Sequence, residues 1–309
     1  MRYAETVSKV LASGKTPAGT HRPIMVSEIL EVLAPSPGEI AVDATLGYGG
    51  HAMEILARIQ PGGRLFGLDV DPLELPKTER RLRDAGFGAD TFTAVRSNFA
   101  GLPKILTGAD CVLADLGVSS MQIDNPGRGF SVKRDGRLDM RMNPERGTPA
   151  STLLERIKPK ALTDLLLENA DEPHAGELGE WLAGKSFGTT NQLASAIRTA
   201  LSGNQTEDVD NSVRRVFQAL RIEVNDEFGA LETLLRHLPN WLNPGGRVAI
   251  LTFHSGEDRR VKKAFASGLR DGFYTDVAKE IIRASADELR NNPRSSSAKL
   301  RWARKADGR

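Results

Sequence analysis

The first third of the chain alternates short apolar runs with segments that repeat apolar residues every three or four positions. Apolar runs occur at residues 40–44, 64–68, 92–95 and 111–114, and a segment of helical spacing extends from His51 to Ile59. Alternation of this kind predicts parallel strands connected by helices, as in a doubly wound sheet.

The pattern changes beyond residue 126. Residues 127–147 are basic and rich in Gly and Pro, and the spacing from Pro149 to about Ser202 is helical, with no strand. An apolar helical stripe from Val213 to Leu235 follows, and residues 247–253 form a further strand-like run. The sequence therefore predicts one α/β domain (residues 1–126 and 211–309), interrupted by an inserted all-helical domain (residues 127–210).

The composition is typical of a globular protein, with 39% hydrophobic and 27% charged residues. No apolar run reaches the roughly 18–20 residues that span a membrane, and the N-terminal segment lacks the apolar core of a secretory signal. We therefore expect a cytoplasmic protein without membrane contact. With Cys111 as the sole cysteine and no paired histidine motif, we also expect no metal site.

The charge distribution is uneven although the formal net charge is only +2. From Arg290 to Arg309 there are seven basic residues and one acid, and from Gly127 to Arg146 there are six basic residues and three acids. Local basic patches on a nearly neutral protein suit a polyanionic partner such as nucleic acid. A solvated tail and a solvated loop are the alternative interpretation.

The glycine-rich stretch after the first strand is a candidate cofactor loop. Glycines permit a tight turn and close approach of the backbone to a ligand, and Asp69, at the end of the second strand, can accept hydrogen bonds from ribose hydroxyls. The spacing Gly47-x-Gly49-x-x-Ala52 also fits a relaxed dinucleotide fingerprint. This loop alone predicts an adenosine-containing cofactor and leaves S-adenosylmethionine and NAD both open.

The fourth strand is followed by the loop Asp115–Ser120, at the carboxyl edge where open α/β sheets hold ligands. Amino-directed methyltransferases form their target site from the loop at this position. The simpler alternative is a strand exit with a helix N-cap at Ser119 or Ser120.

Several sequence blocks resemble the bacterial 16S ribosomal RNA cytosine-N4 methyltransferases, the ribosomal RNA small subunit methyltransferase H family. They occur in family order along the chain from residue 21 to about residue 300, and this combination is more specific than any single block. The blocks are residues 21–25 (HRPIM), 43–51 (DATLGYGGH), 115–124 (DLGVSSMQID), 128–131 (RGFS), 135–142 (DGRLDMRM), 217–227 (FQALRIEVNDE), 253–259 (FHSGEDR) and 292–294 (NPR).

The resemblance implies a Rossmann-like class I methyltransferase domain with an inserted helical domain for substrate recognition. It implies transfer of a methyl group from S-adenosylmethionine to the N4 amine of a cytidine in 16S ribosomal RNA, in the decoding region of the small ribosomal subunit, and it allows a homodimer. The implied cofactor residues are Gly49, Gly50, His51, Asp69, Phe99, Asp115 and Gln122.

The chain departs from the family pattern at several positions, none of which removes an implied cofactor residue. Leu46, Met121, Gly256 and Ser296 replace the usual Phe, Pro, Leu and Arg. Residues 169–172 (NADE) replace Tyr-Gly-Glu-Glu, and residues 210–213 (DNSV) replace His-Pro-Ala-Thr. These changes bear on RNA docking and on packing within the insertion.

Methylation of an exocyclic amine needs an acceptor for an N–H, because the amine lone pair is delocalised into the ring. Asp115 is the first candidate for this catalytic role, and Asp139 and His254 are weaker ones. For histidine, a structural role is the alternative. The chain lacks the Pro-Pro-aromatic loop of DNA amino-methyltransferases between Asp115 and Ser120.

Two features are candidate RNA contacts. Residues 138–142 alternate as in an extended segment, which would place Asp139 and Arg141 on one side. A helical stripe at spacing i, i+4, i+7 and i+11 could hold phosphates and read base edges, and a solvated helix face is its alternative. The stripe consists of Arg214, Gln218, Arg221 and Asn225.

Three other functions remain open from the sequence. An NAD-dependent oxidoreductase is favoured only by the glycine spacing and Asp69. An RNA-binding assembly factor without activity would keep the same fold. A methyltransferase acting on DNA is the third.

Overall fold

The computed structural model describes residues 22–308. The N-terminal segment discussed above, with His21, and Arg309 lie outside the described residues. The described chain divides into two compact units. We call residues 22–69, 73–117 and 232–308 the sheet unit, and residues 70–72 and 118–231 the helical unit.

A seven-stranded sheet in the order β3-β2-β1-β4-β5-β7-β6 is the centre of the sheet unit. Strands β1 to β5 are parallel, while β7 runs antiparallel between β5 and β6. The bounds are β1 Ile40–Asp43, β2 Arg64–Asp69, β3 Phe92–Arg96, β4 Cys111–Asp115, β5 Arg247–Thr252, β6 Tyr274–Val277 and β7 Lys299–Lys305.

The helices occur in two groups, those of the sheet unit and those of residues 118–231, with one helix (α11) at the boundary. In chain order they are α1 Val26–Leu33, α2 Gly50–Ile59, α3 Leu75–Asp84, α4 Leu102–Ile105, α5 Ser120–Asp124, α6 Ala150–Arg156, α7 Pro159–Ala170, α8 Ala175–Leu182, α9 Thr190–Ala200, α10 Thr206–Asn225, α11 Glu227–Trp241, α12 Ser255–Arg270 and α13 Ala286–Asn291. Between residues 22 and 308, none of them is long and apolar enough to cross a membrane.

The central parallel strands are apolar throughout because helices cover both faces of such a sheet. Val42, Val112 and Ile250 are fully buried, and α2 buries Ile55 and Ile59. The five predicted strands and the helix after the glycine loop are confirmed. The mixed α/β fold with a Rossmann-like sheet is confirmed with them.

The basic C-terminal stretch is more ordered than its charge indicates. It contains β7, in which Arg301 and Lys305 are each only 5% exposed. Lys305 donates a hydrogen bond from Nζ to the Leu242 carbonyl at 2.6 Å. A solvated tail is therefore wrong for these residues, because pairing of β7 with β5 and β6 draws them into the sheet.

The helical unit has its own apolar core. Successive helices α6 to α10 contribute the fully buried Leu154, Leu166, Leu178, Leu193 and Leu220. The predicted insertion, residues 127–210, lies within the second segment of this unit. Its role in substrate recognition remains a prediction.

Candidate functional site

Three carboxylates end neighbouring parallel strands in the sheet unit. Asp43 ends β1, Asp69 ends β2 and Asp115 ends β4. Strand β1 lies between β2 and β4, so the chain order reverses there. In open α/β sheets the ligand crevice lies at such a reversal, outside the carboxyl ends of the strands. The fold thus brings Asp69 and Asp115 to the edge where a cofactor is expected.

The glycine loop between β1 and α2 is held in one conformation by its neighbours. Gly47 and Gly49 have positive φ angles of 49° and 83°, which glycine adopts without strain. The Gly47 N–H donates to Asp69 Oδ2 at 3.0 Å, and the Thr78 hydroxyl donates to the Gly47 carbonyl at 2.6 Å. A Cβ on Gly49 would lie only 2.8 Å from Thr78 Cγ2, so this position requires glycine on steric grounds also.

Helix α3 also clamps the loop through Arg81. This side chain donates from Nη1 to the Tyr48 carbonyl at 2.6 Å. Its guanidinium lies 3.4 Å from the centroid of the Tyr48 ring, a cation–π contact. The loop is therefore shaped before any ligand arrives.

Thr45 bonds both Asp43 and Asp115. Its backbone N–H donates to Asp43 Oδ1 at 3.1 Å, and its hydroxyl accepts the Asp115 N–H at 2.6 Å. Asp43 is 1% exposed, whereas the Asp115 side chain keeps 28% exposure. Asp115 is thus the member of this pair that a ligand can reach.

His51 faces Asp115 from the first turn of α2. Its Nε2 lies 2.8 Å from the Ile24 carbonyl, and its Nδ1 lies 3.7 Å from Asp115 Oδ2. A carbonyl oxygen only accepts hydrogen bonds, so Nε2 carries the proton and Nδ1 presents a lone pair to Asp115. The Nδ1 lone pair therefore faces the Asp115 carboxyl across 3.7 Å, which is longer than a hydrogen bond.

Burial shifts the protonation of all three groups towards their neutral forms. It raises the pKa of Asp115 to about 7, and the negative charge of Glu257 adds to this effect. It raises the pKa of Asp43 to about 6, although His51 opposes the shift. It lowers the pKa of His51, against the charge of Asp43. Asp115 is therefore a carboxyl that exchanges a proton near neutral pH.

The remaining predicted cofactor residues have different surroundings. Phe99 lies in a short 3-10 turn after β3 and is partly buried. Gln122 belongs to the helical unit and is 5% exposed. Its Oε1 accepts the Ser119 N–H at 3.0 Å within a capping box at the start of α5, which confirms the N-cap predicted at this loop.

Gln122 is also anchored by a buried ion pair of the helical unit. Its Nε2 donates to Asp71 Oδ2 at 3.0 Å, and Arg128 Nη1 donates to the same oxygen at 2.7 Å. Asp71 is fully buried and Arg128 is 6% exposed. Arg128 Nη2 donates in addition to the carbonyls of Arg141 and Met142. One guanidinium thus ties three loop segments of this unit together.

Asp139 and Arg141 bind each other instead of pointing in parallel from an extended segment. Met140 between them has a positive φ of 63°, so the prediction that residues 138–142 form an extended segment is wrong. Arg141 Nε and Nη2 each donate to the Asp139 carboxylate at 2.8 Å. Although burial opposes it, hydrogen bonds from Arg141 hold the pKa of Asp139 below its usual value, which makes Asp139 a poor proton acceptor.

His254 lies at the start of α12. Its Nε2 is 3.2 Å from Glu257 Oε1, and Glu257 Oε2 accepts the Phe253 N–H at 2.8 Å. This geometry suits a local role at the strand-to-helix turn.

The four stripe residues share helix α10, and each has a hydrogen-bond partner within the helical unit. Arg221 forms a bidentate ion pair with Glu227 at 2.8 and 2.9 Å. Gln218 donates to the Asn169 carbonyl, and Asn225 bonds the Met140 carbonyl and the Met142 N–H. Arg214 is exposed and contacts Asn211.

The sequence analysis assigned no role to two polar residues of the sheet unit and two of the helical unit. Asp43, Thr45, Asp71 and Arg128 carry the polar networks just described. The available signal was a charged residue inside or beside an apolar run, since such a residue is buried only with partners. Within residues 22–308 no cluster of His, Cys, Asp and Glu could hold a metal ion.

Replacing Asp115 with Asn should stabilise the protein in a pH-dependent way. The folded-state pKa is raised above the unfolded value of about 4, so ionisation opposes folding and stability falls as pH rises towards 7. The substituted amide would be neutral at every pH. We expect a Tm at least about 2 °C above the parent at pH 8, and a smaller gap near pH 4.5, by differential scanning fluorimetry. The exposed Asp84→Asn is the control, and a gap for Asp115→Asn that does not change with pH would contradict the assignment.

Replacing Arg128 with Met should destabilise the helical unit strongly. Asp71 would keep a buried charge without its cation, which costs about 3–5 kcal/mol. Urea unfolding of Arg128→Met, Asp71→Asn and the double variant measures the coupling, and we expect the double variant to lose less than the sum of the single losses. Arg198→Met is the matched control, because the Arg198–Asp210 pair is half exposed and should contribute under about 1 kcal/mol. Equal losses at both arginines would contradict the expected role of burial.

Comparison with known proteins shows which family the chain belongs to. Ribosomal RNA small subunit methyltransferase H 1 of Lachnoclostridium phytofermentans is 48% identical over 317 residues, covering 99% of this chain and 87% of that protein. Ribosomal RNA small subunit methyltransferase H 2 of Alkaliphilus metalliredigens is 49% identical over 317 residues, covering 99% and 91%. The enzyme named ribosomal RNA small subunit methyltransferase H in Synechococcus sp. is 42% identical over 292 residues, covering 92% and 94%.

A sequence model of the MraW methylase family matches residues 18–306. Together with the identity to these relatives along nearly the whole chain, the match confirms the resemblance seen in the motif blocks. The chain belongs to the MraW methylase family.

Proposed function

We propose that this protein transfers a methyl group from S-adenosylmethionine to the exocyclic N4 amine of a cytidine in 16S ribosomal RNA, in the decoding region of the small ribosomal subunit. Membership of a methylase family supports the reaction, and the names of the relatives support small-subunit ribosomal RNA as the substrate. The observation that carries the chemistry is Asp115, a ligand-accessible carboxyl that exchanges a proton near neutrality.

The residues at the sheet edge fit S-adenosylmethionine. When bound, this cofactor supplies a methyl group on a positively charged sulfur. Three carboxyl groups end strands at this edge, and their oxygens are negative when ionised, which suits a sulfonium better than the pyrophosphate of NAD. Asp69 is placed to accept hydrogen bonds from a ribose, and the N-terminus of α2 favours the carboxylate of the methionine part.

The residues that the family resemblance implies for cofactor binding are assigned to S-adenosylmethionine in this proposal. Gly49, Gly50 and His51 lie in the clamped loop and the first turn of α2, and Phe99 lies after β3 at the same edge. Gln122 is held by Ser119 and Asp71 within the helical unit, and the family resemblance supports keeping it in the cofactor set.

Asp115 would act on the acceptor base. Ionised, it accepts a hydrogen bond from the N4 amine, which localises the lone pair on nitrogen. When the nitrogen takes up the methyl group that the cofactor would supply, it would lose a proton to Asp115. Release of this proton from Asp115 to solvent then restores the ionised state. General-base assistance of this kind contributes about 10²–10⁴-fold, and positioning of the two reactants supplies the larger share.

The helical unit would bind the RNA around the target base. Extruding a base is least costly in single-stranded or looped RNA. Of the predicted contacts Arg141, Arg214, Gln218, Arg221 and Asn225, only Arg214 is exposed. Its substitution is therefore the cleanest probe of this surface, whereas loss of Arg221 would leave Glu227 with 12% exposure and without its cation.

The ribosomal substrate is consistent with a cytoplasmic protein, and the homodimer remains part of the proposal. Light scattering of the purified chain measures its oligomeric state directly.

The decisive test supplies labelled S-adenosylmethionine with three substrates, namely small subunits lacking the modification, naked 16S RNA, and DNA. We expect N4-methylcytidine after digestion of the subunits to nucleosides. Transfer to DNA alone would favour a DNA methyltransferase. Cofactor binding without transfer to any substrate would favour an assembly factor.

The pH dependence of turnover tests the role of Asp115. The ionised form is lost as pH falls through about 7, so we expect kcat at saturating RNA to rise between pH 6 and pH 8 and then level off. Asp115→Asn should lower kcat by at least about 100-fold while the protein still binds RNA. A flat pH profile, or an active Asp115→Asn variant, would rule out this carboxylate as the proton acceptor.

A further inference from the structure

The acidic side chains of helix α12 point towards the sheet unit, whereas most of its basic side chains are exposed to solvent. Its two acids point inward: Glu257 is 3% exposed and caps the Phe253 N–H, and the Asp258 side chain is 13% exposed. Asp258 accepts from Arg301 Nε of β7 at 2.6 Å, and Lys299 Nζ lies 3.8 Å from its other oxygen. The acids of this helix are therefore engaged with the sheet unit's interior.

The solvent side of the helix is basic in its first three turns, whereas Arg270 at its end lies 3.7 Å from Asp271. Its exposed positions bear no carboxylate, and the cations among them follow the helical period. These exposed positions are Ser255, Arg259, Lys262, Lys263, Ala266, Leu269 and Arg270. Arg260 lies to one side, where its Nε donates to Glu232 at 2.9 Å.

Asp258, the less buried of the two acids, does not balance the cations around it. Although burial opposes it, Arg301, Lys299 and Lys262 hold the pKa of Asp258 below its usual value, so Asp258 stays ionised as one negative charge among these three positive ones. Lys263 adds a further positive charge on the exposed side. A net positive surface therefore remains around the first three turns of α12.

This surface starts beside the candidate methyl-transfer site. In the β4–β5 pairing, Asp115 lies opposite Leu251, and α12 begins at Ser255, four residues later. The exposed cations follow in the next turns, as the helix leaves the carboxyl edge of the sheet. An RNA strand whose target base reaches Asp115 would have its backbone near this helix.

We propose that the solvent face of α12, centred on Lys262 and Lys263, binds phosphates of the RNA substrate next to the target nucleotide. The inference rests on the proposed function and adds a contact on the sheet unit, separate from Arg214 and the other stripe residues of the helical unit. Lysines are point charges that hold phosphates without reading base identity. The face therefore contributes affinity and register, and base selection lies elsewhere.

The test compares the parent enzyme with the double variant Lys262→Gln/Lys263→Gln. The measurements are KM and Kd for naked 16S RNA between 50 and 300 mM salt. Loss of two phosphate contacts should raise both constants about 10-fold near 100 mM salt and reduce the slope of log Kd against log salt by about 1.4. The Kd for S-adenosylhomocysteine and the kcat at saturating RNA should not change.

Lys77→Gln/Lys104→Gln is the matched control, because it removes the same charge from exposed lysines of α3 and α4, away from β5 and β7 in the sheet order. If both double variants weaken binding equally, the effect is one of net charge and the proposal fails. The proposal also fails if Lys262→Gln/Lys263→Gln loses affinity only for assembled subunits, which would indicate a protein contact. A parent enzyme that methylates no RNA would instead overturn the proposed function itself.

Discussion

The burial of charged groups where parallel strands end is the constraint on which the structure depends. A parallel sheet brings the carboxyl ends of β1, β2 and β4 to one edge, and in this chain each of those strands ends in Asp. Buried carboxylates are costly unless they are hydrogen-bonded or protonated. The Thr45 and Gly47 N–H groups donate hydrogen bonds to the carboxylates of Asp43 and Asp69, and burial raises the pKa of Asp43 and of Asp115 towards protonation. Burial, which makes an ionised carboxylate unfavourable for folding, therefore also raises the pKa of Asp115 to about 7, where the group can exchange a proton.

The helical unit solves a related problem with a different device. Asp71 is fully buried, and its carboxylate lies 2.7 Å from the guanidinium of Arg128, which is buried beside it. Arg128 is rigid and carries several donors, so it serves Asp71 and two backbone carbonyls at once. Loops bury few apolar side chains, so packing does little to fix their conformation. Here the hydrogen bonds of the Arg128 guanidinium hold the loop segments in place.

Local pattern was sufficient for the parallel strands and the helices, because their apolar periodicity is a property of short segments. It failed for β7, whose alternating cations suggest a solvated tail until its neighbours β5 and β6 are known. It also failed for the pairing of Asp139 with Arg141, since nothing local predicts the positive φ of Met140. Two segments that depart from the family pattern turn out to touch each other: Ser212 donates to Glu172 Oε1 at 2.8 Å. That contact joins residues 40 positions apart, and no reading of either segment alone could have found it.

The position of β7 has a consequence for the synthesis of the chain. This strand comprises Lys299–Lys305 and lies between β5 and β6. The strand that comes last in chain order among those described therefore has an interior place in the sheet. During translation, the first five strands can pair while the outer edge of β5 still has no neighbour. Unpaired strand edges are templates for association with other chains. The nascent protein therefore holds an open edge at β5 until residues 299–305 emerge, and their pairing closes the sheet.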